Sequence, residues 1–153
     1  MRPLFLSTLL LFGCANACAQ TPETSAKAIV NQLFTAMRNS DSAGIVACFA
    51  PGASLKSVTE DKAGNTVVKD TPIPEFASVV GNLPANAADE RIVFDNVLID
   101  GNMASIWTPY RFFFKGQFSH CGVDAFLLVK LSNSWKILHI LDTRRKENCI
   151  ENK

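Results

Sequence analysis

The sequence has no basic stripe, no Cys-x-x-Cys or His-x-x-x-His spacing, no internal repeat and no low-complexity tract. Each absence removes a class of function. Binding to a phosphate backbone needs clustered Lys and Arg. The densest basic spot here is Arg144-Arg145-Lys146, which reads as a solvated strand end. Without ligand spacing, a structural metal site has no support, and nothing in the chain points to a cofactor. No apolar run is long enough to span a bilayer; Leu4 to Phe12 falls well short. The formal net charge is only +1.

What is present is an ordinary globular balance. Of 153 residues, 48 % are hydrophobic and 19 % charged, which excludes disorder and suggests one domain. Residues 1–19 form a targeting segment. Arg2 supplies a positive start, Leu4 to Phe12 an apolar stretch, and Ala17-Cys18-Ala19 a small-x-small cleavage signal before Gln20. The chain is therefore expected to be exported, to the periplasm or beyond. The alternative is a lipoprotein: Leu11-Phe12-Gly13-Cys14 resembles a lipobox, with Cys14 as the lipidated residue. The remainder divides into one domain at 20–149 and a tail at 150–153. Removing residues 1–19 takes away Arg2 and no acid, leaving 14 basic and 14 acidic residues. Three of the five cysteines remain, Cys48, Cys121 and Cys149. Export permits a disulfide, an odd count leaves one thiol free, and spacing alone does not give the pairing.

Thr21-Pro22 opens a helix. Its apolar stripe runs through Ala26, Ile29, Val30, Leu33, Phe34 and Met37. A short second helix spans 42–50 and is stopped by Pro51-Gly52. Two short strands at 54–59 and 66–69 flank an Asp61-to-Asn65 turn. A third helix runs from Thr71-Pro72 to about Val80, followed by a polar connection over 82–89. A strand at 91–99 turns at Asp100-Gly101, and three long strands follow. Helices gathered early and strands late indicate an α+β domain with a curved antiparallel sheet.

The long strands carry ionisable residues among aromatics: Arg111, His120, Asp124, Asp142 and Arg144. Buried charges need partners, so this sheet either lines a pocket or holds internal ion pairs. On the His120 strand, parity puts His120, Gly122, Asp124, Phe126 and Leu128 on one mixed face. Cys121, Val123, Ala125, Leu127 and Val129 form an apolar opposite face. A two-residue turn at Lys115-Gly116 would place Arg111 opposite His120 and Trp107 opposite Asp124, about 5 Å apart at Cβ. Arg111 would then favour a neutral imidazole. His120 and Asp124, ~13 Å apart on one strand, cannot form a dyad. If Leu131 pairs with Trp135, Asp124 faces Asp142 and Gly122 faces Arg144; a one-residue slip would undo this. Trp107 and Tyr110 have the polar handles of a pocket rim. His139, amid apolar neighbours, reads as a buried structural histidine.

The segments from Phe118 to Phe126, Trp135-Lys136-Ile137, and Asp142-Thr143-Arg144-Arg145 with Cys149 resemble the nuclear-transport-factor-2-like superfamily. Within it they are similar to the secreted bacterial group labelled putative lumazine-binding. The resemblance covers Ser25 to Cys149. It implies a cystatin-like cone, a bent sheet wrapped around a long helix. The superfamily includes ketosteroid isomerases, scytalone dehydratase and SnoaL-like cyclases, but the resemblance to the lumazine-binding group implies a ligand and no particular reaction. Cys121 and Cys149 lie within the matching segments, so a disulfide between them is preferred, with Cys48–Cys149 as the competitor. Such a loop of about thirty residues would be worth ~3–4 kcal/mol. Two functions stand open. One is a pocket protein for a small hydrophobic or flat aromatic molecule, with Trp107, Tyr110, Arg111, His120, Asp124, Asp142 and Arg144 as candidate ligand contacts. The other is an isomerase, dehydratase or cyclase with His120 or Asp124 moving the proton. A homodimer through the sheet is compatible with both.

Overall fold

A computed structural model describes residues 21–150. The expected leader and cleavage site, Cys14 and residues 151–153 lie outside them. Helix α1 (Pro22–Arg38) starts where Thr21 Oγ1 accepts from the Thr24 amide at 3.1 Å, and it buries the predicted stripe. Helix α2 (Ser42–Cys48) is capped by Asp41, whose side chain accepts from the Gly44 amide at 2.8 Å. The chain then enters β1 (Phe49–Glu60), β2 (Thr66–Thr71), α3 (Ile73–Gly81), β3 (Ala88–Ile92), β4 (Asn96–Asp100), β5 (Met103–Phe114), β6 (Gln117–Leu131) and β7 (Ser134–Thr143).

The fold is α+β, with three helices on a curved, unclosed sheet of seven strands ordered β2-β1-β7-β6-β5-β3, β4 sharing the β5 edge. One pairing departs from the antiparallel expectation: β1 runs parallel to β7. It follows from the chain order, because β1 returns from the helices to the free side of the last strand. The strand expected at 91–99 is two strands, both paired with β5, the first beginning at Ala88. The inner face of the sheet and the stripe of α1 make the core. There Phe126 meets Phe34 edge-on, ring centres 6.1 Å apart. Each such fully buried side chain contributes roughly 1.5–3 kcal/mol.

Two bulges set the register of the long strands. Lys115 and Gly116 form the tight turn, both with positive φ, and Phe114 pairs with Gln117 as expected. Ser119 is then an extra residue, so Phe112 faces His120, Arg111 faces Cys121 and Thr108 faces Asp124. The expected pairings of Arg111 with His120 and of Trp107 with Asp124 are therefore each displaced by one residue. In the next hairpin the turn is Ser132-Asn133, both at positive φ, and Leu131 pairs with Ser134 rather than Trp135. Leu138 is the extra residue here, and it restores the pairing of Asp124 with Asp142. An isolated pairing of Cys121 with Arg145 continues the same register past Gly122.

At that point β5 reaches across β6 to the end of β7. Tyr110 Oη donates to the Thr143 carbonyl at 2.9 Å. Gly122 lies against both: a Cβ there would stand 1.8 Å from the Thr143 oxygen and 2.8 Å from a Tyr110 ring carbon. Glycine in mid-strand marks such an approach. A disulfide joins Cys121 to Cys149, Cα atoms 5.7 Å apart, and ties the tail to the sheet. Cys48 is a buried free thiol, pushed up to about 11 by burial.

Candidate functional site

The concave side of the sheet leaves a cavity of about 60 Å³ beneath α1 and α3. Its walls are apolar: Leu33, Phe34 and Met37 from α1, Phe76 from α3, Phe126 and Ile140 from the sheet. Its polar end is built by three strands. Glu90 comes from β3, Asp124 from β6, and Asp142 with Arg144 from β7 and the residues after it.

These groups are only partly satisfied by one another. Asp142 Oδ2 accepts from Arg144 Nε at 2.8 Å, and Arg144 Nη2 donates to Ser57 Oγ at 3.1 Å. Thr108 Oγ1 donates to Asp124 Oδ2 at 3.3 Å. Glu90 and Asp124 line the same end of the cavity, close enough for each carboxyl to influence the protonation of the other. Asp124 and Asp142 are each only 5 % exposed. Yet Asp142 lines the cavity with its Oδ1 buried and without a partner among the described residues. A buried acceptor left unpaired costs roughly 1–3 kcal/mol.

Burial is the largest influence on the carboxyl pair. It drives Asp124 well above the ordinary carboxylate range, helped by the charge and hydrogen bond of Glu90 and by the charge of Asp142; the Thr108 hydroxyl opposes it. Burial likewise raises Glu90 to about 7, against the hydrogen bond from Asp124 and with the repulsion of Asp142. Two like charges at one desolvated place cannot both persist, so the pair holds a shared proton near neutrality. Burial works against the Arg144 charge, but the hydrogen bond and charge of Asp142 outweigh it and keep the guanidinium protonated. The buried Tyr110 phenol is pushed above its ordinary range.

The sequence candidates divide between the two faces. Tyr110, His120, Asp124 and Asp142 stand on the inner face. Arg144 also lies there, half-exposed. His120 is not part of the cavity wall. Its ring lies against Phe112 and Tyr110, centres 5.0 and 5.8 Å away, and Nδ1 meets Ser119 Oγ at 3.0 Å. Its pKa is depressed, first by burial and then by Arg144, the role expected of Arg111. Trp107 and Arg111 face outward. Trp107 is 47 % exposed. Arg111 stacks on Phe118 at 4.9 Å and donates to the Ile150 carbonyl at 3.3 Å. The bulge at Ser119 is the cause, since the slip of one residue exchanges faces. His139 is half-buried on the outer face, its Nδ1 2.7 Å from Ser54 Oγ. Glu90 is the residue that sequence reasoning missed. It falls between the expected connection and the expected strand. The alternation of Ala88, Glu90 and Ile92 was the available signal, with one acid among inward apolar positions.

Comparison with known proteins agrees with this architecture. Residues 21–140 match the sequence model of a family described as putative lumazine-binding. No curated protein matches. Among solved structures, an NTF2-like protein of unknown function from Shewanella baltica OS155 superposes with a TM-score of 0.62 at 15 % identity, covering 80 % of this chain and 93 % of that one. A domain of unknown function with a cystatin-like fold from Nostoc punctiforme gives 0.63 at 19 % identity, covering 85 % and 82 %. An NTF2-like protein of unknown function from Methylobacillus flagellatus KT gives 0.60 at 21 % identity, covering 79 % and 90 %. At these identities the likeness shows the fold alone.

The carboxyl pair has a consequence for stability. Glu90 at about 7 lies above its ordinary 4.5, so the folded chain holds a proton that the unfolded chain releases. That stabilisation is complete below about pH 4.5 and is lost as pH rises through 7. His120 runs oppositely, its penalty growing as pH falls below 6.5. Comparing the wild type with Glu90→Gln isolates the first effect. The variant should gain about 1–3 kcal/mol relative to wild type between pH 5 and pH 8. Urea denaturation at several pH values measures this, and parallel pH profiles would contradict it.

Proposed function

This chain belongs to the putative lumazine-binding family, and we propose that it is an exported small-molecule-binding protein whose ligand enters the mouth of the cone. One observation carries this reading. Asp142, one of whose carboxylate oxygens is buried and unpaired, lines a cavity with Glu90, Asp124 and Arg144 at one end and apolar walls elsewhere. Mostly apolar concavities with a few convergent polar groups are the usual form of ligand sites. The cavity of about 60 Å³ is much smaller than the roughly 300–1,000 Å³ of ligand pockets. A flat bicyclic ligand would put one polar edge against Glu90, Asp124 and Asp142 and leave its body in the open mouth. The family description supports such a molecule and does not choose one.

The Glu90–Asp124 pair favours a second reading, proton transfer to a bound substrate. A carboxyl with its pKa brought near neutrality is what a general acid or base requires. One set of probes separates the two: lumazine, a pterin, a flavin precursor and a steroid, each tested by thermal shift and then recovered from D₂O. At a hundredfold excess over its Kd a ligand adds about 2.7 kcal/mol, so at least one probe should raise the midpoint by several degrees. A flat response to all four contradicts the binding reading. Deuterium entering a carbon–hydrogen bond of the probe would support the enzyme; recovery unchanged supports binding alone.

The same proposal includes export and self-association. No helix among the described residues is long and apolar enough to cross a membrane, and a disulfide suits an oxidising compartment. On the outer face, Trp107, Ala125 and Leu141 lie side by side across three strands, with Leu98 and Leu127 in the next row. Such a surface fits the sheet of a second copy. Native mass spectrometry of the exported protein reads both points. The expected species is a dimer of chains beginning at Gln20. A monomer would remove the dimer, and an uncleaved or lipid-bearing chain would remove cleavage after Ala19.

A further inference from the structure

The unpaired groups at the polar end of the cavity are nearly all acceptors. Of the four ionisable side chains there, three are carboxyls and one is a guanidinium. Arg144 places two of its five N–H donors, Nε on Asp142 and Nη2 on Ser57. Arg38, the cation on α1 nearest this region, lies 3.8 Å from Asp89 and reaches the Glu90 backbone carbonyl rather than its carboxyl. Tyr110 spends its hydroxyl hydrogen on the Thr143 carbonyl, and Thr108 donates to Asp124. Asp142 Oδ1 is the clearest vacancy: its residue lines the cavity and is 5 % exposed, and that oxygen is buried without a donor among the described residues.

We infer that the site takes a small organic cation, a protonated amine or amidine carrying an apolar body, with its N–H donors on Asp142 Oδ1 and the Glu90–Asp124 pair. This rests on the cone mouth being the ligand site. The chemistry of the walls fits such a head group. An ammonium offers three donors and no acceptor, so it meets the surplus of acceptors without a conflict. Phe34, Phe76 and Phe126 offer ring faces and apolar surface to its substituent. An anion would meet three carboxyls against one guanidinium, which is itself paired with Asp142. A neutral lactam edge would bring one acceptor for each donor and gain less. A metal ion is a poorer fit, because among the described residues no three His, Cys, Asp or Glu side chains are grouped to hold one.

The occupant also exchanges with a proton. At neutral pH the Glu90–Asp124 pair holds a proton between its carboxyls, and an entering cation replaces it. The groups facing the pair are Tyr110 and Thr108 on β5, and Asp142 and Arg144 from β7 onward; the helices contribute only apolar side chains to the cavity. Binding of a cation therefore strengthens as pH rises through about 7, where Glu90 loses its proton.

Three probes with one ring decide the matter: benzylamine, benzyl alcohol and benzoate, titrated by calorimetry into the mature protein at pH 6 and pH 8. Benzylamine should bind at least tenfold more tightly than either of the others at pH 8. It should weaken several-fold at pH 6 and release a proton, seen as a heat that varies with the buffer. Asp142→Asn should cost benzylamine tenfold or more, and its melting curve shows whether the fold survives. Glu90→Gln, which removes a charge without exposing a core residue, should abolish the proton release even if Asp142→Asn unfolds. Equal or tighter binding of the alcohol or benzoate overturns the inference. Binding of lumazine with benzylamine inert overturns it too, while leaving the cone mouth as a ligand site. Silence from every probe removes both, the cavity then holding only water.

Discussion

The pairing of Asp124 with Asp142 across β6 and β7 governs the interior of this molecule. It sets two carboxyls side by side under a helix, in a place where charge is expensive. Glu90, arriving from the far edge strand, adds a third. One guanidinium cannot neutralise three carboxylates. The fold resolves the conflict in two ways. Asp142 is bonded to Arg144, while burial and mutual repulsion push Asp124 and Glu90 toward sharing a proton. A purely structural core would be better served by apolar side chains of the same volume, since a buried ionic group rarely repays its desolvation. The persistence of an unpaired carboxylate oxygen at a cavity is therefore better understood as provision for something that enters.

The rest of the chain holds this cluster in place. Gly122 lets the Thr143 carbonyl and the Tyr110 ring close over the narrow end, and the Cys121–Cys149 disulfide fastens the tail outside it. The bulges at Ser119 and Leu138 decide which side chains face inward. The first sets Arg111 opposite Cys121 rather than His120. With it, Arg111 is carried to the outer surface, and Arg144 is left as the sole guanidinium at the cavity.

Much of the architecture could be read from the sequence, because strong periodicity writes it there. The stripe of α1, the Lys115-Gly116 turn, and the contrast between the two faces of β6 need only local spacing. The side of the sheet on which His120 and Asp124 stand follows from parity. The pairing of Asp124 with Asp142 was reached through a turn placed one residue too far, an error that the bulge at Leu138 cancels. Bulges leave no reliable mark in composition, and each one reassigns the residues beyond it. That is why Trp107 and Arg111 were expected at the pocket and stand outside it. Glu90 escaped for a different reason. Its strand is five residues long and follows a polar connection, too short for alternation to declare itself.

The claim on which all this depends is that Glu90 and Asp124 share a proton inside the cone. Carbon-13 NMR of their side-chain carboxyls, followed from pH 3 to pH 9, tests it directly. The account predicts two coupled titrations, the lower pKa already above the ordinary carboxylate range and each resonance responding to both steps. Two independent transitions near pH 4 would contradict it.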